Sequence, residues 1–366
     1  MKITIFGLTI SSSWGNGHAT PYRAIIRALH CKGHQIHFFE KDVPYYRSRR
    51  DFDRCNYCNL TLYQEWAQIR AIALETAGAS DVVITASYLP DGQRISDEIL
   101  GLSRPLRVFY DLDTPITLRK LESGGVEYVR CDQIPDFDLV LSFTGGKSIA
   151  ELEKRYGARM ACPLYGCVDP DVYTRVAPAQ EFTCDLSYMG TYAADRQARV
   201  DELFVEPARR HPEMQFVLAG SMYPWEWQWP ANVRVMEHVA PYAHPQFYSS
   251  TRLTLNITRE EMARNGWCPS GRFFEAAACG TPLLTDCWEG LDWFFDTEHD
   301  LRVVTSADEV EAALMMSDNE LRQMAQSARH RTLQEHTGEA RARQLLQYFE
   351  EARSVSSAKV ETSEVA

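Results

Sequence analysis

PSGRFFEAAACGTPLLTD, residues 269–286, packs a helix start, two charged side chains, a helix stop and a following strand into one short stretch. Pro269 and Ser270 punctuate the chain, Ser270 suits an N-cap, and residues 271–279 read as a short helix ended by Gly280 at C′ and stopped by Pro282. A helix start of this kind presents N–H groups without intrahelical partners and the positive end of the dipole, and both favour an anion. Arg272 in the first turn adds a full charge, and Glu275 one turn later can accept from ribose hydroxyls. The stretch therefore suits a nucleotide diphosphate. Spacing by itself favours the plainer alternative, an ordinary capped amphipathic helix.

Outward from this stretch the chain alternates strand-like and helix-like segments, the pattern of α/β domains with parallel sheets. The first half reads as strands at 2–9, 35–40, 82–86, 107–111 and 139–143, with helices at 21–31, 60–76 and 149–156. A Pro-rich passage at 162–178 breaks the pattern and is taken as the linker. The second half reads as strands at 185–189, 215–218, 234–236 and 252–256, with helices at 194–211, 245–249, 310–336 and 339–353. A chain of 366 residues, 45% hydrophobic, suits two domains, and both halves read as the same kind of fold without an internal repeat. Two similar α/β lobes with a cleft at the strand carboxyl ends is the expected architecture.

A net charge of −12 argues against a nucleic-acid surface, because no basic stripe is present to neutralise a run of phosphates. Arg196, Arg259, Arg264 and Arg272 stand in otherwise acidic or neutral sequence, which allows a small phosphate site where a broad one is excluded. No run of 18 apolar residues occurs, and MKITIFGLTI makes no convincing signal peptide, so a cytoplasmic protein without an integral membrane segment is expected. The ten cysteines are scattered in the manner of reduced thiols, and Cys55 and Cys58 form a lone CxxC without a second pair at zinc spacing.

Residues 11–18, SSSWGNGH, separate the first strand from a helix. Gly15 and Gly17 let the backbone turn tightly, and His18 sits at the mouth of the helix, placed either as a general base toward an acceptor hydroxyl or merely as a cap. Glu40 ends the second strand where a ribose-binding acid of a dinucleotide fold would lie. The glycines, however, form G-x-G-x-x-T with Thr20 in place of the third glycine, and they come well after the strand, so that reading fails. Asp111 and Asp113 in YDLDTP have the spacing of a metal-binding DxD, yet such pairs are common at turns, and a cleft-lining or structural role is preferred. Thr144, Gly145, Gly146 and Lys147 lack phosphate-loop spacing and read as a turn. Tyr223, Trp225, Trp227 and Trp229 read as a loop pinned to the surface, with stacking of a sugar or base left open.

Taken in order, SSSWGNGHATPYR, FFEKDVPYYRSRRD, FYDLDTPITL, SFTGGKSIAELEKRYG, PLYGCVDPDVY, YMGTYAADRQ, LNITR, PSGRFFEAAACGTPLLTD and WEGLDWFF resemble the CgeB-like glycosyltransferases, bacterial relatives of the spore maturation protein CgeB. The resemblance covers about residues 5–350. It implies a GT-B fold, with two Rossmann-like lobes whose parallel sheets face across a cleft: an acceptor-binding domain at 1–168, a nucleotide-sugar domain at 180–336 and a helix at 337–353 crossing back to the first lobe; residues 354–366, SVSSAKVETSEVA, have too little apolar surface to stay ordered and are expected as a disordered tail. The resemblance places the donor at Gly190, Thr191, Arg196, Arg259, Ser270, Gly271, Arg272 and Glu275, and matches His18 to the glycine-rich-loop histidine of several GT-B enzymes, as base, donor ligand or acceptor ligand; Asn16, Gly17 and Asp113 are read as further substrate-binding residues. Many retaining enzymes of the wider group carry E-x7-E; here Trp267 stands eight residues before Glu275, so the stereochemical course is not carried over.

The expected activity is hexosyl transfer from a nucleotide sugar, a UDP-sugar, to a glycan, lipid-linked or small-molecule hydroxyl, with His18 as base and neither metal nor other cofactor. In this reading Arg196 or Arg272 and the helix start stabilise the leaving diphosphate, and lobe closure excludes water. Two alternatives are a non-catalytic GT-B-like sugar- or nucleotide-binding protein of surface or coat assembly, and a GT-B nucleotide-sugar epimerase, which needs no acceptor.

Overall fold

The structure, a computed structural model, describes residues 1–52, 55–224 and 226–364. The chain forms two compact units, one of Met1–Tyr165 with the segment from Gly338 onward, the other of Gly166–Thr337. In the first unit, β1 (Lys2–Gly7), β2 (Gln35–Lys41), β3 (Asn59–Tyr63), β4 (Val82–Ala86), β5 (Leu106–Asp111), β6 (Leu139–Ser142) and β7 (Ala161–Pro163) form one sheet in the order β3-β2-β1-β4-β5-β6-β7. Every pairing is parallel. Helices cover such a sheet on both faces, which is why β4 and β6 are buried at every position and are mostly apolar, with only Thr85 and Ser142 polar.

The second unit repeats the plan with β8 (Cys184–Met189), β9 (Phe216–Ala219), β10 (Val233–Met236), β11 (Thr251–Asn256), β12 (Leu283–Thr285) and β13 (Arg302–Val303), in the order β10-β9-β8-β11-β12-β13 and again all parallel. Its core includes Tyr188, Phe204, Phe216 and Leu253. In both sheets the strand order reverses once, between β1 and β4 and between β8 and β11. Loops diverge at such a switch point and leave a crevice at the strand carboxyl ends, so the turns after these four strands are the places to look for a site.

The last helix, Gly338–Glu364, belongs to the first unit and packs on the helix Ala19–Cys31. Ala342, Leu345, Phe349 and Ala352 form its buried stripe at helical spacing. The approach is close at its start, where a Cβ on Gly338 would lie 2.5 Å from the Ala24 carbonyl oxygen.

Several sequence expectations need correction. Residues 60–76 are not one helix: Asn59–Tyr63 pairs with β2 as an edge strand, and the helix is Trp66–Gly78. The expected 310–336 helix is two, Ala307–Leu314 and Asp318–Glu335, because Ser317 and Glu320 make a reciprocal capping box that starts a new helix. The expected linker opens as strand β7, paired with β6, and the break between units falls at Tyr165 and Gly166 instead of after 168. The helices Gly92–Leu100 and Thr114–Ser123 were not foreseen. The tail expected to be disordered from 354 is helical to Glu364, since extending an existing helix adds a bond per residue without a new nucleus.

Candidate functional site

The turn after β1 is built around a buried carboxylate. Glu40, 1% exposed at the end of β2, accepts the Thr9 hydroxyl at 2.8 Å, the Ile10 and Ser11 amides at 2.8 and 3.0 Å, and the Ser11 hydroxyl. This residue anchors the loop, which answers the ribose-acid reading of its position. Asp51 holds the next residue, accepting the Ser13 amide at 3.1 Å and the Ser13 hydroxyl at 2.5 Å while pairing with Arg23 at 2.7 Å. Burial works to raise the Asp51 carboxyl, but Arg23 and Ser13 outweigh it and hold it below its ordinary value. The Arg49 guanidinium lies 3.9 Å over the Trp14 ring.

Asn16 Oδ1 then accepts the His18 amide at 2.9 Å, and His18 takes the N-cap position of the helix Ala19–Cys31 without a side-chain capping bond. The His18 side chain is thus not a cap. Its Nε2 lies 3.8 Å from Asp113 Oδ2, and its Nδ1 is buried with no hydrogen-bond partner. Gly17 faces open space. Tyr88, in the turn after β4, donates its hydroxyl to Asp113 Oδ2 at 2.8 Å from a left-handed backbone at φ +62°. Burial first, then the Asp113 charge, push the Tyr88 phenol far up, so it remains a donor. The β1, β4 and β5 turns therefore bring His18, Tyr88 and Asp113 together at the switch point. Sequence reasoning missed Tyr88, whose only local signal is the turn chemistry of TASYLPDG.

Asp111 does not share this exposure. It is 1% exposed, its Oδ1 accepts Thr117 Oγ1 at 3.0 Å and the Asp113 amide at 3.1 Å, and burial pushes its carboxyl up to about 7. Its role is the structural one. Among the described residues no group of three His, Cys, Asp or Glu is placed to hold a metal ion. Cys55 and Cys58 are free thiols with sulfurs 3.1 Å apart. Gly146, at φ +58°, turns the chain into the helix Lys147–Lys154.

In the second unit the turn after β8 carries Gly190 and Thr191, and Arg196 follows in the helix Ala194–Val200. The backbone here is tightly opposed, since a Cβ on Gly220 would lie 1.9 Å from the Gly190 carbonyl oxygen. Arg196 was expected to face a diphosphate. It is 8% exposed, donates to the Thr191 carbonyl and at 3.5 Å to that of Ile257, and lies 5.7 Å from the Tyr188 ring, so it ties the β8 turn to the β11 turn. Arg259, at the N-cap of Glu260–Asn265, pairs with Asp195 at 3.3 Å. Asp286, at the end of β12, sets this turn by accepting the Thr258 amide at 3.0 Å and its hydroxyl at 2.9 Å. Tyr192 packs edge to face on Trp227 and Tyr223 on Trp229, with centroids 5.5 and 5.6 Å apart, and Trp227 and Trp229 lie tilted to each other at 5.9 Å. Trp225 lies outside the described residues.

The opening stretch folds as the helix Gly271–Ala278. Its end is a Schellman motif: Gly280, at φ +71°, donates to the Ala277 carbonyl at 2.9 Å and Thr281 to that of Ala276 at 3.1 Å. Its start differs from an ordinary cap. Ser270 holds the N-cap position with an extended backbone, yet its side chain makes no capping bond. Arg272 is half-buried and makes no ion pair among the described residues. Its charge, like that of Arg196, lowers the phenols of Tyr188 and Tyr223 against the larger effect of burial, which puts both arginines beside one pair of tyrosines. Glu275 is 6% exposed, with His244 Nδ1 3.4 Å from its Oε2. Trp267 occupies a left-handed backbone position at φ +50°, its amide bonded to the Glu289 carbonyl at 2.7 Å.

With this geometry in view, residues 196–347 match the protein family described as Glycosyl transferase-like, a span that begins at Arg196 and includes Arg259, Ser270, Gly271, Arg272 and Glu275. No curated protein matches the sequence. Solved structures match its fold over nearly the whole chain. Sucrose-phosphate synthase from Thermosynechococcus elongatus is 12% identical with a TM-score of 0.65, covering 97% of this chain and 99% of that one. HepE of Anabaena, in complex with UDP and glucose, is 11% identical with a TM-score of 0.67, covering 96% and 99%. A glycosyltransferase from Rickettsia africae is 11% identical with a TM-score of 0.63, covering 96% and 98%. Residues 196–347 thus carry the sequence of a glycosyl transferase-like family, and the chain as a whole has the two-lobe, Rossmann-like α/β fold of the GT-B enzymes.

Proposed function

We propose that this protein is a glycosyltransferase that moves a hexose from a nucleotide sugar, a UDP-sugar, to a hydroxyl acceptor without a metal. The observation that carries the reading is the start of the helix Gly271–Ala278, where an unused N-cap side chain, Arg272 without an ion pair and buried Glu275 stand within two turns. Helix N-termini and guanidinium groups suit a diphosphate, and a carboxylate suits the ribose diol. The family match over this segment, and the UDP and glucose held by HepE, support the same donor class. The motif order also resembles that of the CgeB-like enzymes.

In this reading the second unit binds the donor, and Arg272 stabilises the charge that develops on the leaving diphosphate. Preorganised donors of this kind contribute roughly 3 to 4 kcal/mol each. The first unit handles the acceptor. His18, with Nε2 facing Asp113 and Nδ1 unpartnered, takes the proton of the attacking hydroxyl, and Asp113 stabilises the imidazolium that forms. A thermal-shift panel of nucleotides and nucleotide sugars tests the assignment. Stabilisation by UDP and UDP-sugars is expected, whereas stabilisation by NAD(P) alone overturns it.

A further inference from the structure

Glu275 has a buried side its proposed ligand does not explain. Its Oε2 is shut from solvent and has no hydrogen-bond partner, and the His244 ring stands beside it, with Nδ1 at 3.4 Å. Burying a carboxylate is costly unless a partner repays it. His244 is itself held in place. Its Nε2 lies 3.1 Å from the Val239 carbonyl oxygen, which can only accept, so that nitrogen carries a hydrogen. The Tyr173 hydroxyl lies 3.4 Å from Nδ1, and the ring packs against those of Tyr173 and Tyr248. The ring is therefore fixed from the turn after β10 on one edge and aims its other edge at the inner oxygen of Glu275.

We propose that His244 is a positioning residue of the nucleotide site, holding Glu275 Oε2 so that the other carboxylate oxygen, Oε1, is presented to the 2′-hydroxyl of the ribose. This rests on the reading that the second unit binds a nucleoside diphosphate. His244 touches no ligand; its effect passes through Glu275 and is confined to probes that carry the 2′-hydroxyl. A merely structural role, in contrast, weakens every probe alike.

The test compares UDP, 2′-deoxy-UDP and pyrophosphate by calorimetry on the full chain. His244→Ala is expected to weaken UDP about tenfold, the scale of one hydrogen bond to a charged group. It is expected to leave 2′-deoxy-UDP and pyrophosphate within about twofold, a change below the size of a hydrogen bond. Glu275→Gln should show the same pattern, and the double variant no further loss. His244→Gln, whose amide can donate to Oε2, should recover part of the UDP affinity, and it carries the test if the alanine variant does not fold. Equal weakening of UDP and 2′-deoxy-UDP, or additive losses in the double variant, overturns the role of His244 alone. A wild-type protein that binds no nucleoside diphosphate overturns the site reading and this inference together.

Discussion

Tyr88 donates its hydroxyl to Asp113 Oδ2 at 2.8 Å from a backbone held at φ +62°. A non-glycine residue in that region costs of order 1 to 3 kcal/mol, so the fold spends strain to aim this phenol. The same Asp113 oxygen stands 3.8 Å from His18 Nε2. Tyr88→Phe removes the hydrogen bond and leaves the ring, so Asp113 loses one of the partners that orient it. Turnover should fall about tenfold while UDP affinity holds, measured by initial transfer rates beside calorimetry.

His18→Ala takes away the proposed base and touches nothing proposed to bind the donor. Transfer should drop by about two to four orders of magnitude, the usual contribution of a positioned acid or base. UDP affinity should stay within about twofold, less than the loss of one hydrogen bond. Full transfer activity in this variant would show that the base lies elsewhere.

Arg272 and Arg196 should part company on substitution. Arg272, half-buried and without an ion pair among the described residues, can be cut to alanine with unfolding stability changed by no more than about 0.5 kcal/mol, while UDP affinity falls at least about tenfold. Arg196→Ala leaves the Thr191 and Ile257 carbonyls without their donor and should cost roughly 1 to 3 kcal/mol of stability as well. Urea unfolding of both variants separates the two roles.

Asp111 predicts a pH dependence of stability. Burial holds its carboxyl at about 7 in the fold, against 3.8 as its ordinary value. Below about pH 4 both states are protonated and the group is neutral to stability; from about pH 4 to 7 the unfolded chain gives up the proton that the fold keeps, so stability falls as pH rises, then levels off. Asp111→Asn removes this slope. The variant should gain on wild type across that window, by at most about 4 kcal/mol at 1.36 kcal/mol per unit, as read from thermal unfolding at stepped pH. An unchanged gap between the two proteins would show that Asp111 ionises normally.

Glu40→Ala should unfold more than the loop it holds. Four donors from Thr9, Ile10 and Ser11 lose their acceptor in a buried place. Unsatisfied buried donors cost about 1 to 3 kcal/mol each, so a loss of roughly 3 kcal/mol or more is expected, with transfer activity falling because His18 rides on the same loop. Denaturant titration and rate measurements on one preparation check both.

Much of the fold was legible because buried parallel strands leave a direct mark: β4 and β6 are apolar but for Thr85 and Ser142, and Gly280 announced its helix end before Pro282. Edge strand β3 was not, since Asn59–Tyr63 is half-exposed and short, and it lies ahead of a real helix that lent it its period. Ser317 broke a helix with a single cap inside otherwise continuous helix-forming sequence. The site divided in the same way. His18, Arg272 and Glu275 carry local signatures of loop and helix start, whereas Glu40 and His244 act on partners 29 to 31 residues away in sequence, across strands, where spacing says nothing. Arg196 was visible as a cation, but its bonds to the Thr191 and Ile257 carbonyls were not, because those partners lie in the turn after β8 and the turn after β11.

The return of the segment from Gly338 to the first unit has a consequence for synthesis. The helix Ala19–Cys31 leaves the ribosome before the second unit, and the stripe of Ala342, Leu345, Phe349 and Ala352 on the helix that packs against it emerges only after that unit. Gly166–Thr337 is contiguous and has all of its own strands by the time those final residues appear. The usual order, in which the amino-terminal part of a chain matures first, is thereby reversed. The contiguous second unit can therefore close before the first, and synthesis that stops short of Gly338 leaves the first unit without the helix that packs on Ala19–Cys31.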